Sequence, residues 1–251
     1  MRLSVIIPAI NERTNIASAI QSAWHAGAAE VIVVDGGSSD GTAELAQSYR
    51  GRVIRTEAGR ARQLNEGARS AQGDWLLFLH ADCRLSVAVG DQLAVVERNP
   101  LLGWGAFRQR IDGRRPGYRL LELGNALRVT LLGMPFGDQA VFVRREFFER
   151  LGRFKSLPLL EDADFAARAR RVSRPVLLPG PVLVSARRWK EAGLIRQTLH
   201  NWRILYGWRR GRSIEELART YRRHDLAAVP RTTRNADQAE AGRGNPGNGR
   251  E

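Results

Sequence analysis

Carboxylates lie just beyond three of the predicted β-strands. Glu12, Asp35 and Asp82 each follow a short apolar run that predicts a buried strand. Acids in such places often only cap helices or shape turns, and Asp40 suits that interpretation. Asp35 and Asp82 suit it less, because each ends its strand and Asp82 precedes no immediate helix. Since ligands bind outside the carboxyl ends of strands in an open parallel sheet, the three acids predict a polar crevice.

His80 and Asp82 have the spacing of an Asp-x-Asp metal motif, with histidine in the first position. Mg²⁺ and Mn²⁺ take one or two carboxylates and keep their other positions for substrate phosphates and water. Mn²⁺ also accepts imidazole better than Mg²⁺ does. The alternative is that His80 is a turn residue and Asp82 a cap. The pattern alone favours neither.

A second acidic group lies in the latter half of the chain, where Glu161, Asp162 and Asp164 precede a predicted helix. Negative charge suits a helix N-terminus, which is the simplest explanation. The functional alternative is a general base, since neighbouring carboxylates raise one another's pKa toward a useful value.

The glycine-rich turn from Asp35 to Thr42 is compatible with phosphate binding at a helix N-terminus. It matches neither the Gly-x-Gly-x-x-Gly fingerprint nor a P-loop. Asp35 would also repel a phosphate, so we expect it to accept hydrogen bonds from a base or a ribose.

The elements that carry these residues alternate between strand and helix, which predicts an α/β fold with a mostly parallel sheet flanked by helices. The 251 residues suit one domain with an appendage. Predicted strands are Leu3–Ile7, Val31–Val34, Arg52–Arg55, Trp75–Leu79, Trp104–Ile111, Ala140–Val143, Val176–Leu178 and Val182–Val184. Predicted helices are Asn15–Ala26, Asp40–Tyr49, Arg60–Ala71, Tyr118–Leu132 and Asp162–Arg171, with a basic helical stretch from Glu191 to about Arg223.

Charge and composition narrow the classes of partner. The chain has 40 Lys and Arg against 26 Asp and Glu, a net charge of +14, which favours anionic partners. Its lone cysteine, Cys83, cannot form an internal disulfide. No apolar run reaches the ~18–20 residues that span a bilayer, and the N-terminus does not resemble a signal peptide. We therefore expect a cytoplasmic protein, with the inner face of the plasma membrane as a further location.

Much of the positive charge lies in Val182–His224. This range has eleven basic residues and only three acids, and five Trp and Tyr residues are interleaved with them. Four interpretations compete: packing on the preceding domain, docking on an anionic membrane surface, recognition of an anionic acceptor such as a lipid phosphate, and nucleic-acid binding. We favour packing with peripheral membrane contact. Nucleic acid is not expected, because no binding motif is present. The tail from Pro230 lacks apolar residues and is predicted to be disordered.

Five motifs in order carry a resemblance to a known family. They are Val5–Glu12, Val33–Thr42, Leu79-His80-Ala81-Asp82, Gly137-Asp138-Gln139 and Leu160-Glu161-Asp162. Together they strongly resemble glycosyltransferase family 2, inverting enzymes with the GT-A fold, from Leu3 to about Arg223. The chain looks closest to a small soluble bacterial branch that also carries Ser-x-Arg-Arg-Trp.

The resemblance implies a role for each matching residue. Binding of the nucleotide-sugar falls to Pro8, Asn11, Glu12, Asp35, Gly36, Arg60 or Arg62, His80, Asp82, Asp138, Gln139 and Arg187. Asp82, with His80, matches the metal-binding position. Asp162 matches the catalytic base, and Glu161 and Arg188 are the other expected catalytic residues.

The resemblance also implies the reaction: transfer of a sugar from a nucleoside-diphosphate sugar, UDP more than GDP, with inversion and a divalent cation, Mn²⁺ or Mg²⁺. The acceptor is unidentified, with a lipid-linked one among the candidates. Ser185 replaces the glutamine of processive membrane relatives, which argues against a polymer-extruding synthase. The alternatives are a nucleotidyltransferase and a non-catalytic, membrane-associated nucleotide-binding protein. The predicted division is a catalytic domain over 1–189, a basic extension packed on it over 190–228, and a tail over 229–251.

Overall fold

A computed structural model describes residues 1–228; the predicted disordered tail, 229–251, lies outside the described residues. The chain forms two compact units, Met1–Ala186 and a second that begins at Arg187. The first unit contains, in chain order, β1 (Leu3–Ala9), α1 (Ile16–His25), β2 (Glu30–Asp35), α2 (Thr42–Ser48), β3 (Arg52–Arg55), α3 (Arg60–Ser70), β4 (Trp75–Phe78), β5 (Cys83–Leu85), α4 (Val89–Glu97), β6 (Trp104–Ile111), α5 (Pro116–Leu132), a 3-10 turn (Gly137–Gln139), β7 (Phe142–Arg144), α6 (Arg145–Arg150), α7 (Glu161–Ala169) and β8 (Val176–Val184).

One eight-stranded sheet, in the order β3-β2-β1-β4-β7-β6-β8-β5, organises the described part of the first unit. Strands β3, β2, β1 and β4 are parallel neighbours, and β6 pairs in parallel with β8. Strand β7 runs antiparallel to both β4 and β6, and β5 runs antiparallel to β8. Six of these eight strands therefore share one direction, and the predicted α/β class with a mostly parallel sheet is confirmed.

Continuous apolar runs produce the central strands. In β2, every residue from Val31 to Asp35 is buried, as expected for a sheet covered on both faces. An aromatic cluster packs beside β4, with ring centroids 4.9 to 5.4 Å apart; its members are Phe78, Phe148, Phe154 and Phe165. This packing joins β4 to helices α6 and α7 through their aromatic side chains.

Helix α3 is attached to the tips of two strands. The side-chain Nε2 of Gln63 donates to the carbonyl oxygens of Ala9, at 3.0 Å, and Val34, at 2.8 Å. Gly67 lets the helix approach closely, because a methyl group there would overlap the side chain of Ile6. The loops that follow β1 and β2 therefore start from fixed positions.

In the first unit, the observed elements differ from the predicted ones in four places. The two short strands predicted around Pro179-Gly180-Pro181 are one strand, β8, whose pairing with β6 shifts register between Phe107 and Gln109. Strand β5 and helices α4 and α6 were not predicted. In β5 only three residues pair, too few to give a periodic signal.

The second unit contains helices α8 (Arg187–Ala192), α9 (Leu194–Arg209) and α10 (Ile214–Ala228). Helices α9 and α10 pack closely, since a methyl group at Gly207 would lie 3.0 Å from Leu217. The predicted packing of the basic segment on the catalytic domain stays a prediction. Among residues 1–228, no helix combines the length and apolarity needed to cross a bilayer.

Candidate active site

The carboxyl ends of β2, β1 and β4 lie side by side, with Ala9 of β1 opposite Asp35 of β2. The two loops that follow β1 and β2 hold each other. The N–H of Asn11 donates to Ser38 Oγ, and the N–H of Ser39 donates to Asn11 Oδ1, both at 2.9 Å. Asn11 has a φ of 53°, a left-handed conformation that asparagine tolerates well. The segment Pro8–Glu12 is therefore a preformed rim at the carboxyl end of β1.

Asp35 is buried at the tip of β2, and its carboxylate accepts the backbone N–H groups of Gly37 and Ser38 at 3.2 to 3.3 Å. It therefore shapes its turn. The sequence favoured this role more for Asp40 than for Asp35, because Asp35 directly ends its strand. Gly36 leaves no room for a side chain, because a methyl group there would lie 2.7 Å from Ile10. Asp40 also shapes the turn: its hydrogen bond from the Thr42 hydroxyl lowers its pKa.

His80, Asp82 and Cys83 form a cluster next to β4, with one potential ligand atom of each within 4.8 Å of the others. The backbone brings them together, since the N–H of Cys83 donates to the carbonyl of His80 at 3.0 Å. Nitrogen, oxygen and sulfur donors at these separations fit a divalent transition-metal ion. The motif pattern did not include the thiol of Cys83, although the residue adjoins Asp82.

The turn Gly137–Gln139 reaches the same place from the other half of the chain. Strand β7 is antiparallel to β4, with Phe142 opposite Leu77, so the residues before β7 arrive where β4 ends. A methyl group at Gly137 would lie 2.5 Å from His80 Nε2 and 3.3 Å from Asp162 Oδ2. The backbone N–H of Gly137 donates to Asp162 Oδ2 at 2.7 Å. Asp162 and the His80 cluster thus lie beside the same glycine.

Arg128 of α5 holds this turn in place. Its guanidinium donates to the carbonyl of Met134 at 2.8 Å and to Gln139 Oε1 at 3.0 Å, and it stacks 3.6 Å from the ring of Phe136. Burial lowers the pKa of Arg128 to about 10, although the charges of Asp138 and Asp162 oppose the shift. Motif reasoning did not find Arg128. The available signal was its place on the polar side of an otherwise leucine-rich helix.

Asp138 contributes a buried carboxyl group to the same cluster. Its Oδ1 has no hydrogen-bond partner within residues 1–228. Burial raises the pKa of Asp138; the nearby positive charge of Arg128 opposes this, and the negative charges of Asp162 and Asp82 add to it. Three carboxylates from distant parts of the chain therefore interact in one site.

Helix α7 begins at Glu161 and so presents Asp162 in its first turn, after Leu160 in a left-handed conformation with a φ of 64°. Glu161 is buried and ion-paired with Arg60 at 3.5 Å. Burial raises the pKa of Glu161, and Arg60 partly offsets the shift. The pair joins the first residue of α3 to the first residue of α7.

The other predicted site residues differ in their partners. Arg62 forms an ion pair with Glu57, whereas its neighbour Arg60 reaches Glu161. Gln139 is buried and bound to Arg128. Arg187 is the first residue of the second unit, and the side chain of Arg188 lies outside the described residues.

Two relatives match much of the chain. An uncharacterized glycosyltransferase of Haemophilus influenzae is 29% identical over 177 residues, which cover 65% of this chain and 60% of that protein. A PGL/p-HBAD biosynthesis glycosyltransferase of Mycobacterium tuberculosis is 30% identical over 212 residues, 78% of this chain and 79% of that protein. The chain thus spans less than two thirds of the Haemophilus relative.

Two solved structures share the fold. Staphylococcus aureus TarS in complex with UDP-GlcNAc has a TM-score of 0.59 at 19% identity, covering 74% of this chain and 58% of its own. Mannosyltransferase PcManGT from Pyrobaculum calidifontis, in complex with GDP-Man and Mn²⁺, has a TM-score of 0.55 at 23% identity, covering 81% and 60%. This likeness confirms the predicted GT-A architecture. A family model described as glycosyl transferase family 2 matches residues 4–171. The chain belongs to glycosyl transferase family 2.

Proposed function

We propose that this protein transfers a sugar from a nucleoside-diphosphate sugar to a hydroxyl group of an acceptor, with inversion at the anomeric carbon. The observation that carries the proposal is the position of Asp162, which accepts the Gly137 N–H and lies beside the same glycine as His80, since a methyl group at Gly137 would lie 3.3 Å from Asp162 Oδ2 and 2.5 Å from His80 Nε2. A carboxylate base and a site for the leaving diphosphate are thereby placed a few ångströms apart, as a direct displacement requires.

Asp162 acts as the general base in this proposal. Its Oδ2 accepts the N–H of Gly137 and its Oδ1 accepts the N–H of Ala163, both at 2.7 Å, so the carboxylate is held in one orientation. It takes the proton of the acceptor hydroxyl while that oxygen forms a bond to the anomeric carbon. The bond to the diphosphate oxygen breaks on the opposite face, and the nucleoside diphosphate leaves with the electron pair.

His80 and Asp82, with the Cys83 thiol beside them, are the residues that would hold a divalent cation. When bound, such an ion supplies Lewis-acid stabilisation of negative charge on the departing diphosphate. Arginine suits bidentate contact with phosphate, and the phosphate-binding role predicted for Arg187 and Arg188 stays a prediction.

The nucleotide is proposed to bind against the rim formed by Pro8–Glu12 and the turn at Asp35–Gly36. The backbone N–H groups that the Asp35 carboxylate accepts are 3.2 to 3.3 Å away, at the long end of the range for a hydrogen bond. We propose that the carboxylate also accepts a donor of the ribose or the base. TarS was solved with UDP-GlcNAc and PcManGT with GDP-Man, so relatives of this fold accept either base. We propose UDP in preference to GDP.

An Asp162→Asn variant tests the base. We expect turnover to fall about 10²- to 10⁴-fold while donor affinity is kept, because only the proton acceptor is lost. The assay is release of nucleoside diphosphate, with donor affinity measured by calorimetry. Asp164→Asn is the matched control, since Asp164 lies on the same helix but pairs with Arg168 and Lys155. Full turnover by Asp162→Asn would remove Asp162 from this role.

The same assay separates the alternatives. A nucleotidyltransferase releases pyrophosphate from a nucleoside triphosphate, and a non-catalytic binding protein releases nothing. Nucleoside diphosphate released in step with glycosylated acceptor supports sugar transfer alone.

We also propose that the basic second unit contacts an anionic membrane, where a lipid-linked acceptor would be found. Four exposed apolar residues follow one another on one side of α9 at spacings of four, three and four: Ile195, Leu199, Trp202 and Tyr206. Exposed arginines lie beside them, at Arg203 and Arg210 among others. An apolar stripe with Trp, Tyr and flanking arginine is typical of helices that lie in a bilayer interface.

A further inference from the structure

Helix α5 turns its polar side chains toward the protein. Glu122 accepts the backbone N–H of Ile111 at 2.6 Å and pairs with Arg119. Asn125 donates to Gln109 Oε1 at 2.6 Å, and Arg128 holds the turn beside Asp162. These four residues recur every three positions, so they lie along one side of the helix.

The opposite side of α5 is made of leucine. Its leucines are largely exposed to solvent: Leu120 by 72%, Leu123 by 54%, Leu127 by 47% and Leu131 by 69%. Between Leu120 and Leu132 the only charged residues are Glu122 and Arg128, and both have partners on the inner side. A surface helix of a soluble domain normally has the reverse arrangement. An exposed apolar strip of this kind, on a helix about 25 Å long, marks an interaction surface.

Positive charge lies at both ends of this leucine strip. Arg114 and Arg115 are exposed just before α5. Arg170, exposed beside Arg171, donates to the carbonyl of Leu132 at 2.8 Å. Asp112, an exposed acid just ahead of these arginines in the chain, is paired with Arg84. Arginines at the ends of an apolar strip match a layer of anionic headgroups over an apolar interior.

We propose that the outer face of α5 lies on the surface of an anionic bilayer, with its leucines among the upper acyl chains and the terminal arginines at the lipid phosphates. This surface belongs to the first unit, is distinct from the α9 stripe, and does not depend on the proposed reaction. A second copy of the chain is the less favoured occupant. It would bring a net charge of +14 and the same arginines against these.

Flotation of the full chain with phosphatidylcholine vesicles, with and without phosphatidylglycerol, tests the proposal. We expect binding only to the anionic vesicles. The triple change Leu120→Gln, Leu127→Gln and Leu131→Gln should weaken it about tenfold or more, since each leucine removed costs buried apolar area. Leu101→Gln is the matched control, because Leu101 is 83% exposed elsewhere on the same unit and should leave binding unchanged. Equal binding by the triple variant and the wild type would overturn the proposal.

Two further measurements distinguish membrane contact by α5 from contact by the α9 stripe and from self-association. A fluorophore on Leu127→Cys, with Cys83→Ser to leave one thiol, should shift to shorter wavelength on anionic vesicles, whereas the same label on Leu101→Cys should not. An unshifted label at position 127 on bound protein assigns membrane contact to α9 alone and contradicts the proposal. A concentration-dependent dimer that the triple leucine variant abolishes would assign the surface to self-association instead.

Discussion

The backbone N–H of Gly137 lies 2.7 Å from Oδ2 of Asp162, and this hydrogen bond joins two segments that are 25 residues apart in the chain. The glycine also packs against the imidazole of His80. One residue with no side chain therefore sets the spacing between the candidate metal ligands and the candidate base, and changes around it should alter rate before they alter stability.

Gly137→Ala should lower kcat strongly while the protein still folds. The added methyl group would lie 2.5 Å from His80 Nε2, so either the imidazole or the turn must move. We expect a loss of about 100-fold, comparable to other displacements of about 1 Å at reacting groups. Steady-state kinetics and circular dichroism measure the two effects. Gly124→Ala is the control, because nothing lies within 4 Å of its added methyl group.

Arg128→Met should lower kcat more than it changes the KM for the donor. The variant loses both hydrogen bonds to the 134–139 turn and a positive charge next to carboxylates. A nearby cation favours the ionised form of a carboxylate, so the acid limb of the pH–rate profile should move to higher pH. Arg119→Met is the control: Arg119 lies on the same helix and pairs with Glu122, away from the turn. An unmoved acid limb would show that Arg128 is only structural.

Asp138→Asn should become more stable than the wild type as pH rises. Burial raises the pKa of Asp138 in the folded protein, so as pH rises the unfolded chain ionises at this residue before the folded protein does. The stability of the wild type is therefore full below the ordinary aspartate pKa of about 4 and falls as pH rises from there through the pKa of the folded state. Asparagine removes that dependence. Urea unfolding at pH 4 and pH 8 should show the difference between variant and wild type growing by about 1 to 3 kcal/mol. The exposed Asp112→Asn should show no such growth.

Asp82→Asn should weaken Mn²⁺ binding about tenfold or more, measured by electron paramagnetic resonance without any sugar donor. Cobalt(II) bound at the same site should show a sulfur-to-metal absorption band if the Cys83 thiol is a ligand, and Cys83→Ser should abolish the band. Asp91→Asn is the control, since Asp91 lies on α4 outside the cluster. Unchanged Mn²⁺ affinity in Asp82→Asn would place the ion elsewhere.

The sequence predicted the parallel half of the fold well because its strands are continuous apolar runs. Val31–Val34 has no polar residue until Asp35 ends it, and such a run bounded by turn residues has few other interpretations. Strand β8 was divided in the prediction because Pro179 and Pro181 lack a backbone N–H. The register shift opposite Phe107 accommodates them, and that depends on β6, which lies far away in the sequence.

The site was predicted in part for a similar reason. Asp35 is the last residue of β2 and Asp82 lies in the short loop that follows β4, so local pattern places both at the carboxyl ends of these strands. Arg128 could not be found in this way, because its contact with Gln139 depends on helix α5 packing over the 134–139 turn, which no local spacing encodes. Cys83 adjoins Asp82 in the sequence and was omitted because the motif ends at that aspartate.

The reversed direction of β7 has a consequence for how such enzymes change over evolution. Its neighbour β4 contributes site residues that follow the strand, whereas β7 contributes the turn that precedes it. Under the proposed reaction, the loops after β1 and β2 and the turn that anchors Asp162 are thus encoded by separate stretches of gene. An insertion ahead of β7 would remodel the surroundings of Asp162 while the loops after β1 and β2 keep their anchors on α3, so one part of the site can change without rebuilding the other.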